Sequence, residues 1–313
     1  MTPEEIQYQI TQLHYDNQSA YSTRGRIRAI MNGGPDGILA LLGDQIKGFQ
    51  DYQIPVPNLM MSGLEHLSQK IGRIPNLKVD TPNGKDSERS KQKAEKIARI
   101  VTSYDETQKL ELQMPQVGRW LPGYGFAVWV IREKKGPDGT PYPCAELRDP
   151  YNCFPGYFGA DQQPKEMAII RRVPKQSLAK VYPKFADQIM KKDVVNTLGI
   201  GSAYASAYTD SYNGSWANSN GEGDLIAEYY NEEGTYVFHM TSATILDFIP
   251  NPLDSGPAFV VAKKFAFDRL QGQYDQIIGL MASMAKINVM SIIAMEDAVF
   301  TETNISGEIE SGQ

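Results

Sequence analysis

Cysteine is nearly absent from this sequence: Cys144 and Cys153 are the only two, nine positions apart. They form neither a CxxC pair nor a disulfide framework, so they read as free thiols of a reducing cytoplasm. Histidine is as scarce. His14, His66 and His239 are scattered, and none stands in an HExxH or HxH pattern, which leaves a zinc site without ligands. No GxxxxGK[ST] phosphate loop and no GxSxG elbow occurs, so the motifs of an ATP-driven motor and of an α/β-hydrolase are both missing. Gly123-Tyr124-Gly125 is a bare GxG that precedes a strand, whereas a dinucleotide loop follows one. Glu146 and Asp149 lie close together but read as turn and surface carboxylates. No catalytic, cofactor-binding or metal-ligating residue emerges, and a structural subunit is expected in place of an enzyme. A basic excess is missing too. The 31 basic and 37 acidic residues leave a net charge of −6, which disfavours tight gripping of phosphates and leaves a weak, sliding contact with DNA open. The opening MTPEEIQYQI is acidic and polar, without the apolar core of a secretory signal.

What is present suits a folded protein of one large or two smaller domains: 313 residues, 41% hydrophobic and 22% charged. Thr2-Pro3-Glu4-Glu5 is a capping signal, and Ile6, Ile10 and Leu13 give a helix to about Asn17, resuming through Arg24–Met31 and ending at Asn32-Gly33-Gly34-Pro35. Further helices are expected over Leu59–Ile71, over Asp86–Tyr104 with Ala94, Ile97, Ala98 and Val101 on one face, and over Thr107–Trp120 with a bend at Pro115. The opposite face of the Asp86–Tyr104 helix carries Arg89, Lys93, Lys96 and Arg99, and reads as solvated. A short strand is expected at Asn76–Asp80. The character then changes. Phe126–Ile131 and Ala145–Arg148 read as a hairpin around the Lys135–Gly139 turn. Strands follow at Lys165–Val173, Asp224–Tyr230, Thr235–Met240, Thr244–Phe248 and Phe259–Ala262, with short helices at Ser177–Tyr182 and Phe185–Met190. Residues 193–223, rich in Ser, Asn, Gly, Ala and Tyr, read as a flexible loop whose tyrosines are alternative contact residues. The fold class is therefore α+β.

The most informative segment is Gln273–Phe300, with no proline and one glycine, Gly279. As a helix it would be roughly 40 Å long. Helical spacing places Ile277, Leu280, Met281, Met284, Ile287 and Met295 near one face, widened by Val289, Ile292, Ile293 and Val299. Three readings stay open: an ordinary core helix, a membrane span at about 277–295, and a helix buried between identical subunits. Lys286 at mid-span, the missing aromatic belt and the acidic residues from Glu296 onward weigh against insertion. Gly279, Ala282, Ser283, Ala285, Ser291 and Ala294 permit close helix approach, and the methionines pack adaptably.

The order of these elements resembles the portal family of tailed double-stranded DNA bacteriophages. The resemblance rests on the PNLKVD segment (75–80), the apolar strand at Phe126–Ile131, the Asp149-Pro150-Tyr151-Asn152-Cys153-Phe154-Pro155 turn, and the helix opened by Asp275-Gln276-Ile277-Ile278-Gly279-Leu280. It spans most of residues 1–313. It implies a wing domain over 1–268 (helices plus a mixed or antiparallel sheet), a first stem helix over 269–300, and the start of a clip over 301–313. The second stem helix, tunnel loop and crown of portals have no counterpart here, so the chain reads as a fragment. The resemblance further implies a dodecameric ring at a capsid vertex of the virion, assembled in the host cytoplasm. Its implied partners are itself, the major capsid protein, the terminase large subunit, a head-completion adaptor, and double-stranded DNA passing without sequence specificity. On this alignment Ile277, Leu280, Met281, Met284, Ile287 and Met295 pack subunits together, Lys286, Glu296 and Asp297 are candidate channel-facing residues, and no cofactor is implied.

Overall fold

Helix α1 (Pro3–Asp16) begins with a complete capping box: Glu5 N–H donates to Thr2 Oγ1 (3.3 Å), and Thr2 N–H donates to the Glu5 carboxylate (2.7 Å). Its Ile6, Ile10 and Leu13 recur at helical spacing and are buried. The computed structural model describes residues 1–32, 59–74, 79–81, 87–136, 139–190, 223–264 and 270–299. Helix α2 spans Gln18–Asn32 and therefore starts six positions before the expected Arg24. Helix α3 is Leu59–Ile71, α4 Glu88–Gln108 and α5 Leu110–Tyr124. The expected Thr107–Trp120 helix is thus corrected. Lys109, in the left-handed region at φ 51°, breaks the chain between α4 and α5, and both Pro115 and Pro122 lie within α5. Of the expected strand at Asn76–Asp80, residues 76–78 lie outside the described residues, and Val79 and Asp80 are not in a strand.

The strands are β1 (Phe126–Lys135), β2 (Pro141–Arg148), β3 (Cys153–Pro155), β4 (Met167–Pro174), β5 (Gly223–Tyr230), β6 (Gly234–His239), β7 (Thr244–Pro250) and β8 (Phe259–Lys263). Helices α6 (Lys175–Val181) and α7 (Ala186–Met190) follow β4, and α8 (Ile278–Val299) is the last described element. The expected flexible loop at 193–223 lies outside the described residues except for Gly223, which opens β5.

Among the described residues two antiparallel sheets form, ordered β2-β1-β8 and β3-β4-β5-β6-β7. Alternation along β5 decides the layering. Leu225, Ala227 and Tyr229 point toward α1, in one cluster with Ile6, Ile10, Phe154, Ile170 and Phe238. Ile226 points the other way, joining Val237, Leu246, Leu178 and Ile189 under α6 and α7. Tyr230 joins the largest cluster, where Phe126, Val128 and Val130 of β1 and Phe259 and Val261 of β8 meet α2, α3 and the start of α8. The second face of the five-stranded sheet is thus shared between a small helical layer and the three-stranded sheet. The outer edge of β8 is closed by a side chain: Gln163 donates to Val261 O (3.1 Å) and accepts from Val261 N–H (3.0 Å), a pairing that shields the strand edge.

Candidate oligomerisation surface

The approach to α8 is built from close backbone contacts. Gln273 N–H donates to Pro122 O at 2.7 Å, and Lys264 N–H donates to Gly125 O at 2.8 Å. A Cβ on Gly272 would overlap Gly123 O, and one on Gly125, at φ 88°, would overlap the Gln271 carbonyl. Only glycine permits backbones this close. Tyr274 is buried, and a Cβ on Gly63 of α3 would stand 2.7 Å from its hydroxyl. Gly123-Tyr124-Gly125 therefore serves as the socket for the start of α8.

Beyond this socket the helix is covered on one side only. Ile278, Ala285 and Val289 are buried, and Met281 packs against the core. A stretch of the remainder is open: Leu280 is 62% exposed, Ile287 63%, Met290 68% and Met295 65%, with Met284 and, just ahead of the helix, Ile277 also exposed. Leu280, Met284, Ile287 and Met295 fall on one stripe. Of the expected packing set, Met281 is partly buried against this chain's own core, because it lies on the side of Ile278 and Ala285. The Ser283 and Ser291 hydroxyls donate to the carbonyls of Gly279 (3.1 Å) and Ile287 (2.8 Å). The helix thus satisfies its own hydroxyls and keeps an apolar exterior. Lys286 is half-buried on its flank, and the side chains of Glu296 and Asp297 lie outside the described residues.

Two polar networks escaped the sequence reading. The first surrounds Glu228, whose side chain is 3% exposed. It accepts from Arg132 (2.5 Å), Arg171 (2.9 Å) and the Tyr230 hydroxyl (2.6 Å), and Arg148 stands 3.8 Å away. Burial pushes the Glu228 carboxyl up, but Arg132, the Tyr230 hydrogen bond, Arg148 and Arg171 outweigh it and hold it below the usual carboxylate range. Glu146, expected at the surface, joins this network through Lys134 (2.8 Å) and Arg148 (3.0 Å). The period-2 pattern of β1 carries the signal: Arg132 continues the inward row of Phe126, Val128 and Val130. Asp149 caps the 3₁₀ turn at Pro150–Asn152 by accepting from Tyr151 N–H at 2.9 Å.

The second network aligns Asp224, His239 and Ser242. His239 Nε2 lies 2.8 Å from Asp224 Oδ2, and Nδ1 lies 2.6 Å from Ser242 Oγ. Thr241 also donates to Asp224. The order matches an orienting acid, a base and a nucleophile. Yet His239 is only 1% exposed, the Ser242 hydroxyl also pairs with Thr244 (3.0 Å), and the cavities beside Trp120 and beside Tyr142 are lined by other residues. The network fixes the β6–β7 turn, where Ala243 takes φ 50°.

A cavity of about 210 Å³ is lined by Arg28, Glu65, Arg119, Trp120, Tyr124 and Asp149 among others. Its charges cancel in pairs, Arg28 with Asp149 (3.9 Å) and Arg119 with Glu65 (3.5 Å). Cys153 is fully buried, and burial pushes its thiol far above the range of a reactive thiolate. Among the described residues no group of three His, Cys, Asp or Glu side chains can hold a metal ion. The surface that stands out is therefore apolar and helical. No protein-family model matches the chain, and no curated protein matches it either.

Proposed function

We propose that this chain is the wing and first stem helix of a portal-type ring subunit, with copies of α8 packed side by side around a shared axis. One observation carries the reading: α8 is apolar on most sides, rigidly socketed at its start, and left bare by its own chain along Leu280, Met284, Ile287 and Met295. In water such a helix needs cover, and identical neighbours supply it without a dedicated partner. In this role the subunit lines a passage for double-stranded DNA at a capsid vertex and docks the terminase large subunit, a head-completion adaptor and the major capsid protein. The acidic balance suits a channel through which phosphates slide without being held.

Mass photometry and negative-stain microscopy of the protein test this directly. The expected particle is a closed ring, dodecameric on the portal reading. Replacing Leu280→Glu with Ile287→Glu should leave the far-UV spectrum unchanged and abolish the ring. A well-folded monomer at every concentration tested overturns the proposal. A second reading is favoured by one observation: α8 is long and apolar enough to cross a membrane. It predicts that the protein stays with membranes after a carbonate wash. The burial of Ala285 and Val289, and Lys286 at mid-span, favour the ring.

A further inference from the structure

A second pair of unpartnered surfaces lies far along the chain from α8. Helix α4 has 21 residues, of which only Ala94 and Gln108 are buried. Of the expected apolar face, Ala94 is buried and Ala98 and Val101 are half-buried, but Ile97 is 51% exposed; Ile100, outside that face, is 58% exposed. Helical spacing gathers Arg89, Lys93, Lys96, Ile97 and Ile100 on one exposed face. Arg89, Lys93 and Lys96 make no ion pair among the described residues, and Glu88 and Glu95 fall on another face. An isolated helix of this length owes its stability chiefly to packing, and α4 has packing on one side alone.

The complementary surface lies in a stretch without cations. From Gly223 to Ala262 there is no lysine or arginine, while Asp224, Glu228, Glu232, Glu233, Asp247 and Asp254 are acidic. Asp224 and Glu228 are buried and paired. The other four are exposed and make no ion pair among the described residues. They surround the outer strand β7, which among the described residues is bonded to β6 alone and exposes Phe248 (42%) and Ile249 (41%). The β5–β6 turn brings Glu232 and Glu233 to this edge, since Asn251 donates to the carbonyls of Glu232 (3.0 Å) and Glu233 (3.1 Å).

We infer that the cationic, isoleucine-bearing face of α4 docks on the acidic, apolar β7 edge of a second copy of this chain. The inference rests on the ring reading above and deepens it. The two surfaces differ, and on the ring reading they meet head-to-tail, each copy offering α4 to one neighbour and β7 to the other, a contact that closes a ring when the rotation allows. Charge complementarity fixes the register, and the apolar side chains supply the buried centre. α8 then seals the axis while α4 and β7 join neighbours at the periphery.

The test mixes full-length protein carrying Ile97→Cys with full-length protein carrying Ile249→Cys and adds a short bismaleimide. Cys144 and Cys153 are buried, which leaves the introduced thiols as the reactive ones. The expected result is a covalent dimer in the mixture and none in either protein alone. Lys93→Glu with Lys96→Glu should weaken association at least about tenfold, because like charges then face each other. Asp247→Lys with Glu232→Lys, added to the partner copy, should recover much of that loss. Rings that form normally with no cross-link and no response to charge reversal overturn this interface and leave the ring reading standing. Wild-type protein that forms no ring and no cross-link overturns both. Loss of duplex-DNA retention in the Lys93→Glu, Lys96→Glu variant, with ring assembly unchanged, assigns these cations to phosphate and overturns the interface as well.

Discussion

Two buried charges show how single residues hold the elements together. Arg24 is 2% exposed and, among the described residues, has no carboxylate partner at hydrogen-bond distance. It donates instead to the carbonyls of Pro150 (3.1 Å) and Cys153 (3.0 Å) and to Asn17 Oδ1 (3.3 Å), and its guanidinium lies over the Phe126 ring. Burial lowers its pKa to about 10, which still leaves it charged at neutral pH. It ties α2 to the turn ahead of β3. Arg24→Leu strands buried acceptors and should cost about 3 kcal/mol in urea denaturation. Glu228 binds both sheets at once, through Arg132 and Arg148 of the three-stranded sheet and Arg171 of β4. Glu228→Gln leaves three guanidiniums around a neutral group and should cost about 3 kcal/mol by the same measurement. A loss below about 0.5 kcal/mol would show that solvent already screens the cluster.

At the scale of elements, glycine position separates the socket from the rod. Gly272 has no room for a methyl group because Gly123 O occupies it, whereas a Cβ on Gly279 would meet nothing within 4 Å. Gly279→Ala, in the first turn of α8, should raise stability by about 0.5–1 kcal/mol through helix propensity. Gly272→Ala should destabilise and loosen the start of α8, with faster amide exchange at Ile278 and its neighbours. Equal effects from the two substitutions would argue against a rigid socket. Several elements were legible in the sequence: the α1 cap, Leu59–Ile71, the β1–β2 hairpin and the β5–β6 hairpin each follow from local pattern. The break at Lys109 was not legible, because a left-handed lysine carries no sequence signal. The exposure of Ile97 was also hidden, since periodicity shows that a stripe exists and not what covers it.

For the whole molecule, acid should act in two stages. Burial, followed by the nearby Arg24 charge, lowers the pKa of His14 to about 4. The folded protein therefore prefers neutral His14. That contribution is complete above about 6.5 and is lost as pH falls toward 4. Asp224 and Glu228 have lowered pKa values despite their burial, so their contribution is present above the ordinary carboxylate range and is lost at lower pH. His14→Phe, placed beside Tyr21 and Phe154, should flatten the melting temperature between pH 6.5 and 4.5 while leaving the steeper loss below pH 4. An unchanged slope in that variant would move the early stage to another group.

The sequence by itself determined the α+β class, most strand and helix positions, the scarcity of catalytic motifs, and the existence of one long apolar helix near its end, because each of these depends on neighbours along the chain. Tertiary structure alone decided which side of that helix is bare, where α4 points, and how Arg132, Glu146, Arg148, Arg171 and Glu228 converge. Those outcomes depend on which strands pair across distant stretches. The pairing of β8 with β1 and of β4 with β5 is set by the total fit of buried surfaces, and no local pattern records it.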